Sequence, residues 1–343
     1  MPTGPEVEAA LARAVAWLER EQRPSGEFPV LASTDPTLEE RAEADPSVFP
    51  TALLAHSLSF WPGAAAAQRR ALAFLQAEMD RFGLWRHWTR AHPHHRELPP
   101  DVDDTSCASA ALAAAGLAFP DNRPLLLANR DREGRFFTWL SPRLRWSGTK
   151  HLAVTLRQLR HAPTLWLFFR RTSAAPRDVD AAVNANALFY LGAFEGDEAV
   201  VAFLASAVAE GAETRCDKWY ENRFVIWYFL SRALAGRSAG AEETLRARVA
   251  AAAPAGALEA ALALCALASL GGRAPAEAVA RLLGLQRPDG AWPRAAFYHG
   301  GRERRRDGAF AEPHPDTPRW GSEALTTGLC IEALARWLGE PAR

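Results

Sequence analysis

The sequence of 343 residues has little of what marks several classes of protein. Its four cysteines are far apart and form no Cys-x-x-Cys pair, so no disulfide framework is indicated. Basic and acidic residues number 40 each, and this balance argues against a general binder of nucleic acid. No uncharged apolar run is long enough to cross a bilayer, and the first residues lack the pattern of a signal peptide. We therefore expect a cytoplasmic protein, free or peripherally bound to a membrane.

What the sequence does have is a recurring phrase: an apolar helix end, a polar turn and then Gly-x-aromatic. The clearest copy runs from Gln286 to Trp292, and an N-terminal copy runs from Gln22 to Phe28. Weaker copies end at Trp85 and Phe136. Glycine supplies the turn backbone that ends a helix. We expect the glutamine to bind the loop backbone and the aromatic to fold over the helix end.

Each phrase leads, after a variable loop, into a second and more apolar helix. A one-sided apolar stripe is typical of an outer helix, and apolar residues all round are typical of a buried one. The sequence therefore predicts an all-α fold of six outer–inner hairpins, an (α/α)6 barrel, in one domain spanning 1–343. The predicted pairs are 5–20 with 47–60, 65–80 with 103–116, 122–130 with 178–192, 197–209 with 222–235, 240–252 with 256–270, and 275–286 with 322–338.

Three carboxylates stand directly before one of the predicted inner helices, at Asp101, Asp103 and Asp104. Helix capping accounts for one of them, because aspartate is a favoured N-cap and the helix dipole favours negative charge there. It does not account for three acids that repel one another. Crowded carboxylates in a dry site raise the pKa of one member, and a carboxyl that stays protonated near neutral pH can act as a general acid.

The motif Asp-Val-Asp-Asp-Thr-Ser at 101–106 resembles the Asp-x-Asp-Asp-Thr-Ala motif of class II terpene cyclases. The phrase ending at Trp292 resembles the repeat of squalene–hopene cyclases. The resemblance implies that Asp103 protonates a terminal alkene or an epoxide, while Asp101 and Asp104 set its protonation and orientation. It also implies an isoprenoid substrate and no cofactor, with Mg²⁺ needed only if the substrate carries a diphosphate.

A carbocation formed in this way needs an apolar cavity with aromatic faces, which attract it electrostatically. Inner helices of repeated hairpins start at the same end of a barrel, so residues near those starts are candidates for the lining. The candidate substrate-binding residues are Phe49, Asn186, Trp219, Tyr220, Trp227, Tyr298, Trp320 and Glu323. Candidates for the base that removes the final proton are His151, His299 and Glu323.

Residues 137–177 form an insertion between paired helices, and this basic and aromatic stretch is a candidate lid, a membrane-facing segment or an extra helix. Squalene-type cyclases enclose their cavity between two barrels, whereas this chain has room for one. A shorter prenyl chain, a prenylated aromatic, a partner subunit or a homodimer would each allow a closed cavity.

Three other functions are compatible with the same features. Protein prenyltransferases share the barrel, and Cys216 with Asp217 and a histidine such as His299 or His314 could hold zinc, although a lone Cys-Asp is usually not a zinc site. A glycosidase would pair Asp103 with Glu323 or Glu259. The barrel could also bind a prenyl or acyl chain without catalysis, as a binding protein or a partner subunit, with the acids only capping a helix.

Overall fold

The chain is mostly α-helical, as its apolar patterns predict. This computed structural model describes residues 1–142, 149–305 and 310–339. Within those ranges the helices are α1 (Gly4–Glu21), α2 (Val48–Ser57), α3 (Ala65–Glu78), α4 (Val102–Ala114), α5 (Arg123–Ala128), α6 (Thr149–Leu159), α7 (Ala162–Arg171), α8 (Ala181–Leu191), α9 (Asp197–Ala209), α10 (Arg223–Leu234), α11 (Ala239–Ala251), α12 (Ala257–Ser269), α13 (Ala276–Gly284) and α14 (Glu323–Gly339).

Two kinds of helix alternate along much of the chain. Helix α1 starts with a capping box between Thr3 and Glu6 and buries one stripe that includes Leu11 and Leu18. Helix α12 is alanine- and leucine-rich and is buried on nearly every side. The polar face of the first kind stays in solvent, whereas the second kind must be enclosed by other helices.

Six of the mostly buried helices contact one another in cyclic order, and we call them the six-helix ring: α2, α4, α8, α10, α12 and α14. Each contacts the next, and α14 contacts α2. The more one-sided helices α1, α3, α9, α11 and α13 each pack against at least one member of this ring. The ring helices therefore form one scaffold. The start of α4, at residue 102, is part of it.

The repeated phrase makes the contacts expected of it. The Gln286 side-chain amide donates to the Gly290 carbonyl oxygen at 2.9 Å and to the Ala10 carbonyl oxygen at 2.9 Å. The Trp292 indole folds back and donates to the Leu282 carbonyl oxygen at 2.7 Å. In each copy the backbone N–H of the aromatic residue donates to a polar side chain of a ring helix, in the pairs Phe28–Thr51, Trp85–Thr105, Phe136–Asn184 and Trp292–Thr327. Each phrase thus joins the end of an outer helix to a ring helix, and the copy at 286–292 also binds α1.

A small antiparallel sheet, which the sequence did not predict, joins distant loops. Its strands are β1 (Leu31–Ser33), β2 (Glu43–Ala44), β3 (Ala296–His299) and β4 (Arg319–Gly321), in the order β2-β1-β4-β3. Strands of two to four residues are too short to show an alternating pattern, which explains the omission. The pairing of β3 with β4 sets Tyr298 opposite Trp320.

The insertion at 137–177 contains two helices, α6 and α7, rather than a single extra one. Residues 143–148 of the insertion, and 340–343 at the end of the predicted domain, lie outside the described residues. Phe168 of α7 packs edge-on against Trp139 at 5.2 Å between ring centroids, which attaches the insertion to the start of its own loop. In the described ranges, no helix is long and apolar enough to cross a membrane.

Candidate active site

The three acids of the motif lie at the first turn of α4, inside the protein. Asp101 is the N-cap, and its Oδ1 accepts a hydrogen bond from the Asp104 backbone N–H at 2.7 Å. Antiparallel bridging of Asp101 to Trp139 holds the incoming chain in place. Asp101 and Asp104 are buried, whereas Asp103 remains partly accessible because its side chain faces a cavity.

Two side chains from other parts of the chain hold Asp103 by hydrogen bonds. Its Oδ1 accepts a hydrogen bond from the Asn186 amide of α8 at 2.6 Å. Its Oδ2 accepts one from the Tyr220 hydroxyl, just before α10, at 2.6 Å. Both partners stabilise the carboxylate that remains after a proton is given away.

Burial raises the pKa of all three acids. It raises the pKa of Asp103 to about 6, although the hydrogen bonds from Tyr220 and Asn186 lower it. Burial, and then the neighbouring charge of Asp101, raises the pKa of Asp104 well above its usual range. The Asp104 carboxyl also shares a hydrogen bond with Asp101.

A polar network behind Asp103 fixes the orientation of Asn186. The Arg232 guanidinium of α10 donates to the Asn186 Oδ1 at 2.7 Å, so the amide nitrogen of Asn186 must face Asp103. Arg232 also donates to the Tyr228 hydroxyl at 3.1 Å, and Tyr228 donates to Glu332 of α14 at 2.9 Å. The positive charge of Arg232 lowers the pKa of Asp103.

The cavity in front of Asp103 has a volume of about 670 Å³, within the range of small-molecule sites. Aromatic rings line much of it. Tyr298 stacks on Trp320 with ring centroids 5.3 Å apart, and Phe49 meets Tyr298 edge-on at 5.7 Å. Aromatic faces carry negative potential, so a cation formed inside the cavity would be attracted to them.

The structure brings most of the predicted site residues together. Asp101, Asp103, Asp104, Phe49, Trp219, Tyr220, Tyr298 and Trp320 line this one cavity. Asn186, predicted to bind substrate, instead contacts the acid. His299, a candidate base, lines the cavity, but its Nδ1 accepts the Gly301 N–H at 3.1 Å.

Two predicted substrate-binding residues, Trp227 and Glu323, lie outside this cavity. The Trp227 indole donates to Glu213 at 3.1 Å and is packed against Phe224, because the helical turn carries it to another side of α10 from Tyr228. Glu323 lies 3.7 Å from Arg287 and 3.8 Å from Arg294 in ion pairs. Neither residue lines the cavity, and neither does the candidate base His151.

Sequence reasoning missed Arg232 and Glu332. A signal was present, because Arg232 and Glu332 are charged residues within helices that are otherwise almost wholly apolar. Charges in such helices are rarely buried without a partner, so each predicts the other or a similar group. His87 and Trp139, which also line the cavity, lie in loops whose paths the sequence pattern does not define.

The structure gives less support to the zinc site and the glycosidase site considered from the sequence. Asp217 accepts backbone N–H bonds from Ala182 and Trp219, each at 2.8 Å, and thus fixes loop backbone. Among residues 1–142, 149–305 and 310–339, no three histidine, cysteine or acidic side chains are clustered as a metal would require. Glu259, suggested as a second carboxylate, binds Asn222 and does not line the cavity.

Comparison with known proteins finds similarity in structure only. No family model and no curated protein matches the chain. A protein from Actinoplanes matches with a TM-score of 0.64 and 17% identity over 96% of this chain and 99% of that one. The type II terpene cyclase MstE from Scytonema matches in its apo form with a TM-score of 0.67 and 16% identity, over 96% and 98% of the two chains. An MstE variant bound to its product, merosterolic acid A, matches at 0.69, again with 16% identity and 98% coverage of both chains.

Proposed function

We propose that this protein is a class II-type terpene cyclase that protonates an isoprenoid with Asp103. The observation that carries the proposal is the position of Asp103: a carboxyl with a raised pKa that faces an aromatic cavity and is held by Asn186 and Tyr220. The chain has the fold of solved type II terpene cyclases, among them an MstE variant bound to geranylgeranyl dihydroxybenzoate. We further propose that residues 1–343 form one (α/α)6 barrel domain, with the six-helix ring as its inner layer.

The proposed reaction begins when protonated Asp103 gives its proton to a terminal alkene carbon of the substrate. The Asp103 carboxylate that remains keeps the hydrogen bonds from Asn186 and Tyr220. Another alkene of the substrate then attacks the cation and forms a ring carbon–carbon bond. Loss of a proton to a base ends the cascade, and Asp103 regains a proton from solvent. Substrate and product are therefore isomers.

The roles of the other two acids follow from their contacts. Asp101 caps α4 and Asp104 shares a hydrogen bond with it, so the pair fixes the turn that carries Asp103. No group other than these side chains is needed for the proton transfer. Mg²⁺ enters the proposal only for a diphosphate substrate, and a homodimer, a partner subunit or a peripheral membrane contact stays a prediction.

The test is incubation of the protein with isoprenoids of ten to thirty carbons as alcohols, acids, diphosphates and prenylated aromatic acids. Because the product has the mass of the substrate, the reactions are run in D₂O, where each cyclised product gains one deuterium from the protonation step. We expect such a product from the wild type and a roughly hundredfold or greater loss in Asp103→Asn. Exposed Asp121→Asn serves as the matched control.

Each outcome has a distinct meaning. A labelled cyclic product that survives in Asp103→Asn would remove Asp103 from the role of acid. No product from any member of the panel, with the same ligands bound by wild type and variant, would contradict the cyclase proposal and favour a non-catalytic prenyl-binding protein.

A further inference from the structure

Six polar side-chain atoms of cavity-lining residues have no hydrogen-bond partner among the described residues, in Asp104, Trp139, Ser173, Tyr298, His299 and Arg302. Three of them belong to the segment 299–302 or to the serine beside it: Oγ of Ser173, Nε2 of His299 and Nε of Arg302. The side chains of His299 and Arg302 belong to residues that are only 2% and 6% exposed. An unpaired buried donor costs roughly 1–3 kcal/mol, so donors of this kind beside a cavity are suited to bind a molecule that enters it.

The three residues lie around one glycine. Gly301 stands between His299 and Arg302 in the chain, and its N–H donates to His299 Nδ1 at 3.1 Å. A Cβ added to Gly301 would lie 2.3 Å from Ser173 Oγ, so the serine comes up against this same point of the backbone. Gly301 also has a φ of +98°, a conformation that favours glycine. The close approach of Ser173 to the backbone at Gly301 therefore depends on this residue.

The chemistry of the cluster is that of a hydrogen-bond donor set with one positive charge. Because Nδ1 of neutral His299 accepts a hydrogen bond, its proton lies on Nε2. Burial lowers the pKa of His299 to about 3, so the ring is a neutral donor near pH 7. Arg302 donates through Nη2 to the carbonyl oxygens of Thr214 at 3.0 Å and Asp217 at 2.6 Å. Those neutral acceptors hold the guanidinium in place but do not cancel its charge.

The number of charges distinguishes between candidate anions. One buried arginine matches one negative charge, and the exposed acids Glu303, Glu312 and Asp316 line the same cavity, where Arg171 is the one exposed arginine among the described lining residues. A diphosphate would bring several negative charges to this surface, where like charges repel it. A carboxylate carries a single charge, and its two oxygens have enough lone pairs to accept three hydrogen bonds.

We propose that Ser173, His299 and Arg302 bind the carboxylate of an isoprenoid acid whose hydrocarbon chain reaches Asp103. Neighbouring residues of one loop serve both places: the Tyr220 hydroxyl contacts Asp103, whereas the Trp219 ring lies 2.8 Å from the Cβ position of Gly301. The assignment of the chain end to Asp103 rests on the proposed function. The carboxylate site itself is tested by binding, which needs no turnover.

The experiment measures dissociation constants by tryptophan fluorescence in the full chain carrying Asp103→Asn, so that no ligand is consumed. The ligands are geranylgeranoic acid, its methyl ester and geranylgeranyl diphosphate. We expect the acid to bind roughly ten- to hundredfold more tightly than the ester, as a charge-assisted pair predicts. Adding Arg302→Gln or His299→Phe should weaken binding of the acid about tenfold or more and leave that of the ester unchanged. Arg171→Gln, which removes an exposed cation from the same lining, is the matched control and should preserve the preference.

Equal affinity for acid and ester would overturn the proposal, as would an acid preference that survives both substitutions. Tighter binding of the diphosphate than of the acid would overturn the choice of carboxylate. If Arg302→Gln fails to fold because its carbonyl contacts are lost, Ser173→Ala and His299→Phe carry the test, with circular dichroism to check folding. A failed cyclisation assay would leave these affinities in place, and cyclisation with no acid preference would refute this inference alone.

Discussion

Asp103 differs from its two acidic neighbours in what surrounds its oxygens. Asp101 caps the backbone and Asp104 contacts Asp101, whereas Asp103 receives an amide from α8 and a phenol from the loop before α10. The Oδ1 atom of Asp104 has no hydrogen-bond partner among the described residues. An oxygen without a partner costs less in a protonated carboxyl than in a charged one. The three aspartates therefore have different roles, because they occupy different positions at the start of α4.

The first prediction concerns the pH dependence of catalysis. Because the active form of Asp103 is protonated and its pKa is about 6, kcat/KM should be constant at low pH and fall as pH rises above about 6. Tyr220→Phe removes a hydrogen bond that lowers this pKa, so the falling limb should move to higher pH. The profile is measured with the substrate found in the D₂O assay.

The matched control for that profile is Tyr190→Phe, which removes a phenol of α8 that donates to Asn122 and not to the acid. Its limb should coincide with that of the wild type. A limb that stays fixed in Tyr220→Phe would mean that the pH dependence reports another group.

A second prediction concerns stability, because a raised carboxyl pKa destabilises the folded state once the group is charged. The folded pKa of about 6 lies above the usual 3.8, so this cost is absent below about pH 4 and complete above pH 6. Asp103→Asn should therefore gain about 1–3 kcal/mol in unfolding free energy, relative to wild type, between pH 4 and pH 8. Chemical denaturation at the two pH values measures it, and exposed Asp121→Asn should show no such gain.

The residues of the site could be predicted from the sequence only in part. The motif singled out Asp103, and proximity to helix starts singled out Asn186 and Tyr220, but their contact with the acid depends on which helices are neighbours in space. Trp227 was predicted from its position near the same helix start, yet its ring points to Glu213. A position along a helix gives the level of a residue, and the side it faces is set by packing.

At the scale of secondary-structure elements, the repeated phrase depends on glycines that other helices approach. Gly290 has a φ of +101°, and a Cβ there would lie 2.5 Å from the Arg13 carbonyl oxygen of α1. We predict that Gly290→Ala lowers the unfolding free energy by about 2 kcal/mol or more, from backbone strain and from separation of the phrase from α1. Urea denaturation provides the measurement.

Gly284 is the matched control, because it ends α13 and a Cβ there meets no atom within 4 Å. Gly284→Ala should leave stability unchanged or raise it by about 0.5–1 kcal/mol, since alanine restricts the unfolded chain. Equal effects at the two glycines would contradict the proposed role of the phrase.

Long elements were predictable and short ones were not. The twelve paired helices lie close to their predicted bounds, because in most of them the sequence is long enough to distinguish a one-sided stripe from an all-round apolar surface. The four strands, the two helices of the insertion and the loop at 85–101 gave no comparable pattern. Much of the cavity lining lies on these segments, so the sequence indicated the scaffold more fully than the site.

At the scale of the whole molecule, Glu332 connects three members of the six-helix ring. From α14 it accepts hydrogen bonds from Ser57 of α2 at 2.8 Å and Tyr228 of α10 at 2.9 Å. Burial pushes its pKa upward, but His56, Arg336 and Arg232 together outweigh burial and lower the pKa below the usual value. The charged form of Glu332 is therefore favoured by the fold.

We predict that Glu332→Gln lowers the unfolding free energy at pH 7 by about 3 kcal/mol or more, because nearby cations lose their buried partner. Since the folded pKa lies below 4.5, the stabilisation is present above that pH and disappears as pH falls through the folded value. The difference between wild type and variant should therefore shrink in acid. Exposed Glu277→Gln on α13 is the control, and an equal loss in both variants would contradict the prediction.

The contact of α14 with α2 also has a consequence for how the chain is made. Helix α2 leaves the ribosome early, but one of its two ring neighbours is encoded at 323–339, near the other end of the sequence. Until that last segment emerges, the apolar side of α2 that faces α14 has no native cover, and such surfaces bind chaperones or other nascent chains. We therefore expect ribosome-bound chains that end before residue 323 to be sensitive to protease throughout, and protection to arise late and in one step.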